Sequence, residues 1–295
     1  MSVLPHCFGA FAEPYSDPAK ARVMIVPCPY ESASSFARGC AFGPGAILQA
    51  SRYIEYYDYE LGVTPYEIGI ATYPEIQPVH SSPQEMLDLV ARTMSGLMKK
   101  GKLPILLGGD HSITYGGVKA AQEIHDDVGV VVLDAHPDLY DEYQGARWGH
   151  AEVMRRVSEL GIKPLIIGVR CFEKSEWAFA HKNRIPFVTA RDVLRSRLKV
   201  ASALRSLPKR LYLSIDLDVL DVSVMPAVGV PEPGGLGWYE LVECLEFIAR
   251  RSMVACDVVE LTPQAGSLAH PFIAAQLVYK LVGIIFQREL GGVQD

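Results

Sequence analysis

Residues 129–138 read GVVVLDAHPD, an apolar and β-branched run that leads directly into alternating polar side chains. A short run of this kind, apolar at every position, is typical of a strand that is buried on both faces of a parallel sheet. Similar runs recur at residues 22–26, 103–107, 164–169, 211–215 and 253–259. The sequence therefore predicts a parallel sheet, with the 129–133 strand in its interior.

Longer segments with helical periodicity alternate with these strands. They lie at residues 45–51, 83–100, 114–124, 150–160, 190–194, 199–204, 237–250 and 271–287. Alternation of this kind predicts an α/β fold in which helices cover both faces of the sheet. No linker, repeat or low-complexity tract divides the chain, so we expect a single domain over residues 1–295.

The polar residues that follow the 129–133 strand are candidate metal ligands. Asp134, His136 and Asp138 alternate along the chain, and an extended segment would project all three to one side. Without a cation, clustered acids at a buried strand end repel one another or stay desolvated at high cost. The competing interpretation is a polar loop that Asp138 caps.

Two other strands end in the same way. GGDHS at residues 108–112 leaves His111 at the end of an apolar strand, and SIDLD at residues 214–218 places Asp216 and Asp218 at alternating positions. Taken alone, His111 could be a hydrogen-bonded loop residue, and the two aspartates could cap a turn. Because ligands of α/β sheets bind beyond the carboxyl ends of strands, the three strand ends together predict a metal centre.

The composition of the candidate ligand set limits the metals that it would hold. Four carboxylates and two imidazoles suit Mn²⁺, with Co²⁺, Ni²⁺ or Fe²⁺ as alternatives, whereas a lone structural zinc needs fewer ligands and commonly uses Cys. Four negative charges match two divalent cations. A hydroxide between them would leave the site slightly anionic, which favours a cationic substrate.

The motifs GGDHS, DAHPD and SIDLD, in this order, resemble the three signature motifs of the ureohydrolase family, which includes the arginases and agmatinases. The similarity extends to residues 35–50, 231–236 and 258–263 and so covers most of the chain. This resemblance implies a three-layer α/β/α sandwich with a mostly parallel eight-stranded sheet. It also implies a binuclear manganese centre and hydrolysis of a guanidino compound to urea and an amine.

Residue by residue, the resemblance assigns six metal ligands and a nucleophile. One metal would be held by His111 and Asp138, the other by His136 and Asp218, with Asp134 and Asp216 bridging the two. A bridging hydroxide would be the nucleophile, and Asp138 would also steer it as a catalytic residue.

Two further catalytic residues are implied by the resemblance. His150 corresponds to a loop histidine that carries a proton to the leaving amine, and Glu260 to a glutamate that pairs with the substrate guanidinium. From the residues alone, His150 reads more readily as a surface residue at a helix N-terminus. Glu260 could equally pair with a neighbouring arginine.

The expected substrate is a small cationic guanidino compound. Residues 139–148 are aromatic and partly acidic, without an obvious cradle for a carboxylate, so agmatine is the first expectation, cleaved to urea and putrescine. N1-aminopropylagmatine, guanidinobutyrate and guanidine are alternatives; Arg147 would favour guanidinobutyrate, and Val230 departs from a common family threonine. A deacetylase-like amidohydrolase with one zinc and a non-catalytic regulator are more distant alternatives.

Composition narrows the partners and the compartment. The chain has 28 Lys and Arg against 34 Asp and Glu, a net charge of −6, so we expect no nucleic-acid partner. Six scattered cysteines, and the lack of an export signal or of a long apolar run, lead us to expect a cytoplasmic protein without a membrane span. The resemblance implies a homotrimer or homohexamer.

Overall fold

One eight-stranded, entirely parallel sheet organises the residues that the structure describes, which are 7–32 and 35–292. In this computed structural model the strand order is β2-β1-β3-β8-β7-β4-β5-β6. The strands are β1 Val23–Cys28, β2 Ile70–Thr72, β3 Leu103–Gly108, β4 Val128–Leu133, β5 Leu165–Val169, β6 Phe187–Thr189, β7 Arg210–Asp216 and β8 Ser252–Val259.

Helices cover both faces of this sheet. They are α1 Gly43–Ala50, α2 Pro83–Met98, α3 Thr114–Ile124, α4 Val153–Glu159, α5 Lys174–Asn183, α6 Ala190–Arg195, α7 Leu198–Ala203, α8 Trp238–Ala249 and α9 Ala269–Phe286. One core lies between the sheet and α1, α6, α7, α8 and α9, and the other between the sheet and α2, α3, α4 and α5. The predicted three-layer α/β/α sandwich is confirmed.

The apolar strands are explained by this double cover. Along β4, Val131 and Leu133 point into one core while Val130 and Val132 point into the other, and all four are fully buried. Successive side chains of a strand face opposite sides, so a strand covered on both faces needs apolar residues at every position. This requirement is what made six of the strands recognisable in the sequence.

The elements that the sequence did not predict are short or weakly patterned. The edge strands β2 and β6 have three residues each, too few for a periodic signal, and α5 carries mostly polar residues. The helix expected at residues 150–160 begins later, at Val153, because His150–Glu152 forms a separate 3₁₀ turn.

The last helix, α9, is long and apolar enough to cross a membrane by length and composition, and it is the one such helix in the described part of the chain. Two-thirds of it, 67%, is buried within the protein. Its Lys280 ammonium is paired with Asp58 at 2.7 Å and with Glu60 at 2.6 Å. The apolar character of α9 is therefore accounted for by its place in the core.

Near the polar strand ends, two backbone segments approach each other most closely at Gly109, just after β3. A Cβ atom at this position would lie 1.9 Å from the carbonyl oxygen of Tyr30. The Gly109 amide also donates to the carbonyl of Cys28, which holds the loop after β1 against the end of β3. Only glycine fits there, and His111 depends on this connection for its position.

We predict that Gly109→Ala lowers the free energy of unfolding by about 1–3 kcal/mol, the usual cost of overpacking, because backbone atoms must move to admit the methyl group. Chemical denaturation measures this change. Gly96→Ala is the matched control, since Gly96 lies within α2 and a Cβ there would meet nothing within 4 Å. The control should gain about 0.5–1 kcal/mol. Equal stability of Gly109→Ala and the unmodified protein would contradict the prediction.

Candidate active site

A cavity of about 190 Å³ opens beyond the carboxyl ends of the central strands. The neighbouring strands β3, β8, β7, β4 and β5 each deliver side chains to it, as expected for a parallel sheet. The lining residues are Ser35, Cys40, His111, His136, Asp138, Tyr140, Tyr143, His150, Ala151, Cys171, Phe172, Glu173, Glu176, Asp216, Asp218, Gly229, Val230 and Glu260.

His111 lies at the centre of a cluster of carboxylates. Its Nδ1 atom is 3.0 Å from Asp138 Oδ2, 3.2 Å from Asp134 Oδ2 and 3.4 Å from Asp216 Oδ2. His111 itself is completely buried. Three strand ends that are remote in sequence thus converge on one imidazole nitrogen.

The second imidazole lies on the other side of Asp134. His136 Nδ1 is 2.8 Å from Asp218 Oδ2 and 3.8 Å from Asp134 Oδ1. Asp134 therefore directs one oxygen toward each histidine. Backbone amides hold the other carboxylates in place: Ala135 N–H donates to Asp218 Oδ1 at 2.9 Å, and Asp218 N–H donates to Asp216 Oδ1 at 2.8 Å.

Asp138 reaches the cluster by a route that strand alternation does not explain. Strand β4 ends at Leu133, and Asp138 has a left-handed backbone with φ of 51°. Asp is among the few non-glycine residues that tolerate this conformation. The expectation that residues 134, 136 and 138 share one side of an extended segment is thus corrected: Asp138 joins the cluster through a turn.

Two buried atoms in this cluster have no hydrogen-bond partner, namely His111 Nδ1 and Asp134 Oδ2. Burial raises the pKa of Asp134 to about 8, and the charges of Asp218 and Asp138 add to the effect. Unpartnered buried acceptors that repel one another are stabilised by a cation. The donor set fits divalent metal ions that prefer oxygen and imidazole ligands.

The potential ligand atoms form two overlapping groups. His111, Asp134 and Asp216 make one, and Asp134, His136 and Asp218 make the other, with the atoms of each group within 4.8 Å of one another. Asp134 belongs to both groups. Asp138 adds a carboxylate oxygen to the first group, because its Oδ2 atom lies 3.0 Å from His111 Nδ1.

A buried network behind His111 was not found from the sequence. Asp257, fully buried in β8, accepts hydrogen bonds from Ser214 Oγ at 2.6 Å and from Tyr212 Oη at 2.6 Å. With its hydrogen committed to Asp257, Ser214 Oγ accepts from His111 Nε2 at 2.9 Å. A neutral His111 in this arrangement therefore carries its proton on Nε2 and its lone pair on Nδ1. Asp257 lies in a run that reads as an ordinary buried strand, so only its burial marks it.

His150 lies at the rim of the cavity. Its Nε2 atom is 2.7 Å from Ser35 Oγ, while its Nδ1 atom is buried without a partner. Glu152 Oε2 accepts from the amide of Gly149 at 2.9 Å and so holds the turn that carries His150. His150 is therefore a cavity residue and not a free surface side chain.

Glu260 follows β8 directly, and its φ of 68° bends the chain toward the cluster. Its Oε1 atom accepts a hydrogen bond from the backbone amide of His111 at 2.7 Å. Within residues 7–32 and 35–292 the structure shows no ion pair between Glu260 and an arginine, so that alternative finds no support.

The loop at residues 139–149 supplies Tyr140 and Tyr143 to the cavity. Arg147 is turned away from it: its Nη2 atom lies 3.0 Å from Asp141 Oδ1, and 53% of its side chain is exposed. The suggestion that Arg147 binds a substrate carboxylate is thus not supported. Val230 does line the cavity.

Known proteins resemble this chain in both sequence and fold. The profile of the arginase family matches residues 21–283. The N(1)-aminopropylagmatine ureohydrolase of Synechocystis sp. is 38% identical over 276 residues, covering 90% of this chain and 89% of the relative. The agmatinase of Pyrococcus horikoshii is 36% identical over 277 residues, covering 92% and 94%.

A solved structure shares the fold. The agmatine ureohydrolase of Thermoplasma volcanium superposes with a TM-score of 0.85 at 29% identity and covers 92% of each chain. The family match spans all eight strands of the sheet and every strand end that lines the cavity. The chain belongs to the arginase family and is an agmatinase-like ureohydrolase, a hydrolase of carbon–nitrogen bonds in linear amidines.

Proposed function

We propose that this protein hydrolyses a guanidino compound with a cationic tail to urea and an amine. The observation that carries the proposal is the pair of overlapping ligand groups around Asp134, with His111 Nδ1 and Asp134 Oδ2 buried and unpartnered. A ureohydrolase needs a strong nucleophile next to a buried acidic site. This cluster offers ligands for the metal ions that would generate that nucleophile.

Two divalent metal ions, with Mn²⁺ as the expected species, would be held by this cluster. His111 and Asp138 would take one ion, His136 and Asp218 the other, and Asp134 and Asp216 would contact both. When bound, the ions supply a nucleophile at neutral pH by lowering the pKa of water. The contact between His111 Nε2 and Ser214 Oγ leaves Nδ1 of the neutral ring as the nitrogen that would bind a metal ion.

The chain's own residues bind and orient the substrate. Glu260 would accept hydrogen bonds from the guanidinium, and the amide of His111 holds its carboxylate in position. Asp138 would accept a hydrogen bond from the nucleophile and aim it at the guanidinium carbon. His150, at the cavity rim, would deliver a proton to the leaving amine.

The preferred tail is inferred from the cavity wall. None of the described residues that line it is Lys or Arg. Its lining includes two acidic and three aromatic side chains, namely Glu173, Glu176, Tyr140, Tyr143 and Phe172. An acidic and aromatic wall favours ammonium groups over carboxylates. We therefore place N1-aminopropylagmatine and agmatine ahead of arginine and guanidinobutyrate. The relatives move N1-aminopropylagmatine to first place, where the sequence alone had favoured agmatine.

A trimeric or hexameric assembly and a cytoplasmic location stay predictions. Size-exclusion chromatography with light scattering, and fractionation of the source cells, would test them.

The ligand assignment predicts that Asp134→Asn lowers Mn²⁺ affinity by about tenfold or more at both positions, because Asp134 belongs to both ligand groups. Metal content after dialysis and the rise in Tm on adding Mn²⁺ are the measurements. Asp88→Asn serves as control, since Asp88 pairs with Lys119 at the surface. Two tightly held metals in Asp134→Asn would rule out the shared role.

Urea release by Mn²⁺-loaded protein should be fastest with N1-aminopropylagmatine or agmatine. We expect kcat/KM for these two to exceed that for arginine and guanidinobutyrate by about a hundredfold or more, since a carboxylate would be buried against an acidic wall. A preference for arginine or guanidinobutyrate would refute the argument from the cavity wall. Absence of urea from every substrate, with two metals bound, would refute the proposed function.

His150→Ala should lower kcat by about 10²-fold or more, the usual size of a general acid contribution, while the metal content stays unchanged. His181→Ala is the control, because that ring packs against Trp177 on α5 at 4.3 Å between centroids. The proton-delivery role fails if His150→Ala retains the full kcat across the pH range.

A further inference from the structure

A third group of potential metal ligands lies beside the predicted centre. His136, Cys171 and Glu232 each offer one atom, and these atoms lie within 4.8 Å of one another. All three side chains are partly exposed, so an ion could reach them from solvent. Cys171 and Glu232 have no part in the proposed hydrolysis.

The two nitrogens of His136 face different groups. Nδ1 lies 2.8 Å from Asp218, whereas Nε2 lies 3.9 Å from Glu232 Oε1. A separation of 3.9 Å is too long for a hydrogen bond that would orient the ring. Two ligand atoms of a tetrahedral zinc ion, with bonds of roughly 2.0–2.1 Å, lie roughly 3.3 Å apart. The Glu232 side chain is partly exposed, and a rotation of it by about half an ångström would bring its oxygen within that distance of His136 Nε2, so the two atoms can share one ion.

The backbone that carries the three residues is held rigidly. The carbonyl of Ala135, next to His136, accepts hydrogen bonds from the amides of Arg170 at 2.9 Å and Cys171 at 3.2 Å. The Arg170 guanidinium in turn donates to the carbonyls of Glu232 at 2.9 Å and Pro233 at 3.1 Å. A preorganised set of this kind binds an ion with little loss of conformational entropy.

We propose that His136 Nε2, Cys171 Sγ and a carboxylate oxygen of Glu232 form a second, inhibitory site for borderline-soft divalent ions such as Zn²⁺, which shares His136 with the proposed metal centre. Thiolate, imidazole and carboxylate with one open position are ligands that zinc accepts, whereas Mn²⁺ discriminates against sulfur. On binding, the thiol of Cys171 releases its proton to solvent, and the ring proton of His136 stays on Nδ1, where it is donated to Asp218 at 2.8 Å.

Inhibition follows from the shared histidine. A neutral imidazole has one lone-pair nitrogen, so an ion on Nε2 competes with an ion on Nδ1 for the same ring. By linkage, zinc at this site weakens metal loading at the Asp218 side, and loading there weakens zinc binding equally. Zinc at the site would also narrow the cavity, which Cys171 lines.

The test is titration of the full-length protein with Cd²⁺, monitored by the ultraviolet charge-transfer band of a cadmium thiolate, once after Mn²⁺ loading and once after removal of Mn²⁺ by a chelator. Because the two ions compete for His136, half-saturation should need more Cd²⁺ in the Mn²⁺-loaded protein. We expect a band that saturates at one ion per chain and disappears in Cys171→Ser. Cys7→Ser is the matched control, since Cys7 is also partly exposed, and it should keep the band. Glu232→Gln should weaken Cd²⁺ binding by about tenfold or more, as loss of an outer-shell partner alone costs that much.

This readout does not depend on turnover, so the site and the proposed function can fail separately. No saturable band in the unmodified protein, or an equal band in Cys171→Ser, would overturn the site. Where urea release is measured, zinc inhibition relative to each variant's own zinc-free rate should weaken in Cys171→Ser and Glu232→Gln. Unchanged inhibition in both variants would overturn the inhibitory role.

Discussion

The repulsion among the carboxylates gathered around His111 Nδ1 is the constraint that the surrounding structure has to satisfy, because three acidic oxygens lie within 3.4 Å of that atom. In an otherwise apolar interior such a cluster is costly unless cations compensate it. Much of the surrounding structure reduces that cost: backbone amides donate to Asp216 and Asp218, and the buried Asp257 orients the histidine through Ser214. The hydrogen bonds at the carboxyl ends of the central strands and the chemistry proposed there therefore both follow from the same group of carboxylates.

Much of this arrangement could be predicted from the sequence, because both signals have a simple physical basis. A strand covered on both faces must be apolar at every position, which revealed β4 and its central neighbours. Polar residues that follow such strands meet at one end of the sheet, so the sequence alone predicts that His111, Asp134 and Asp216 lie together.

The features that the sequence did not predict depend on long-range packing. The left-handed turn at Asp138 has no periodic pattern, and β2 is too short to show one. Asp257 sits in a run that looks like any buried strand, and only its three-dimensional neighbours show that it holds Ser214, which contacts His111. The same holds for Arg147, whose pairing with Asp141 could not be read from its place in an acidic loop.

The attachment of the 139–149 loop has a consequence for how such a site can diversify. Arg147 and Arg156 both contact Asp141 Oδ1, on the side of the loop away from the cavity, while Tyr140 and Tyr143 face inward. The residues that anchor this loop are thus different from those that face the cavity. Replacing the inward tyrosines would reshape the pocket while the anchor and the ligand cluster stay in place. Substitutions at the inward positions of this loop can therefore change the substrate preference while the hydrolytic centre stays unchanged.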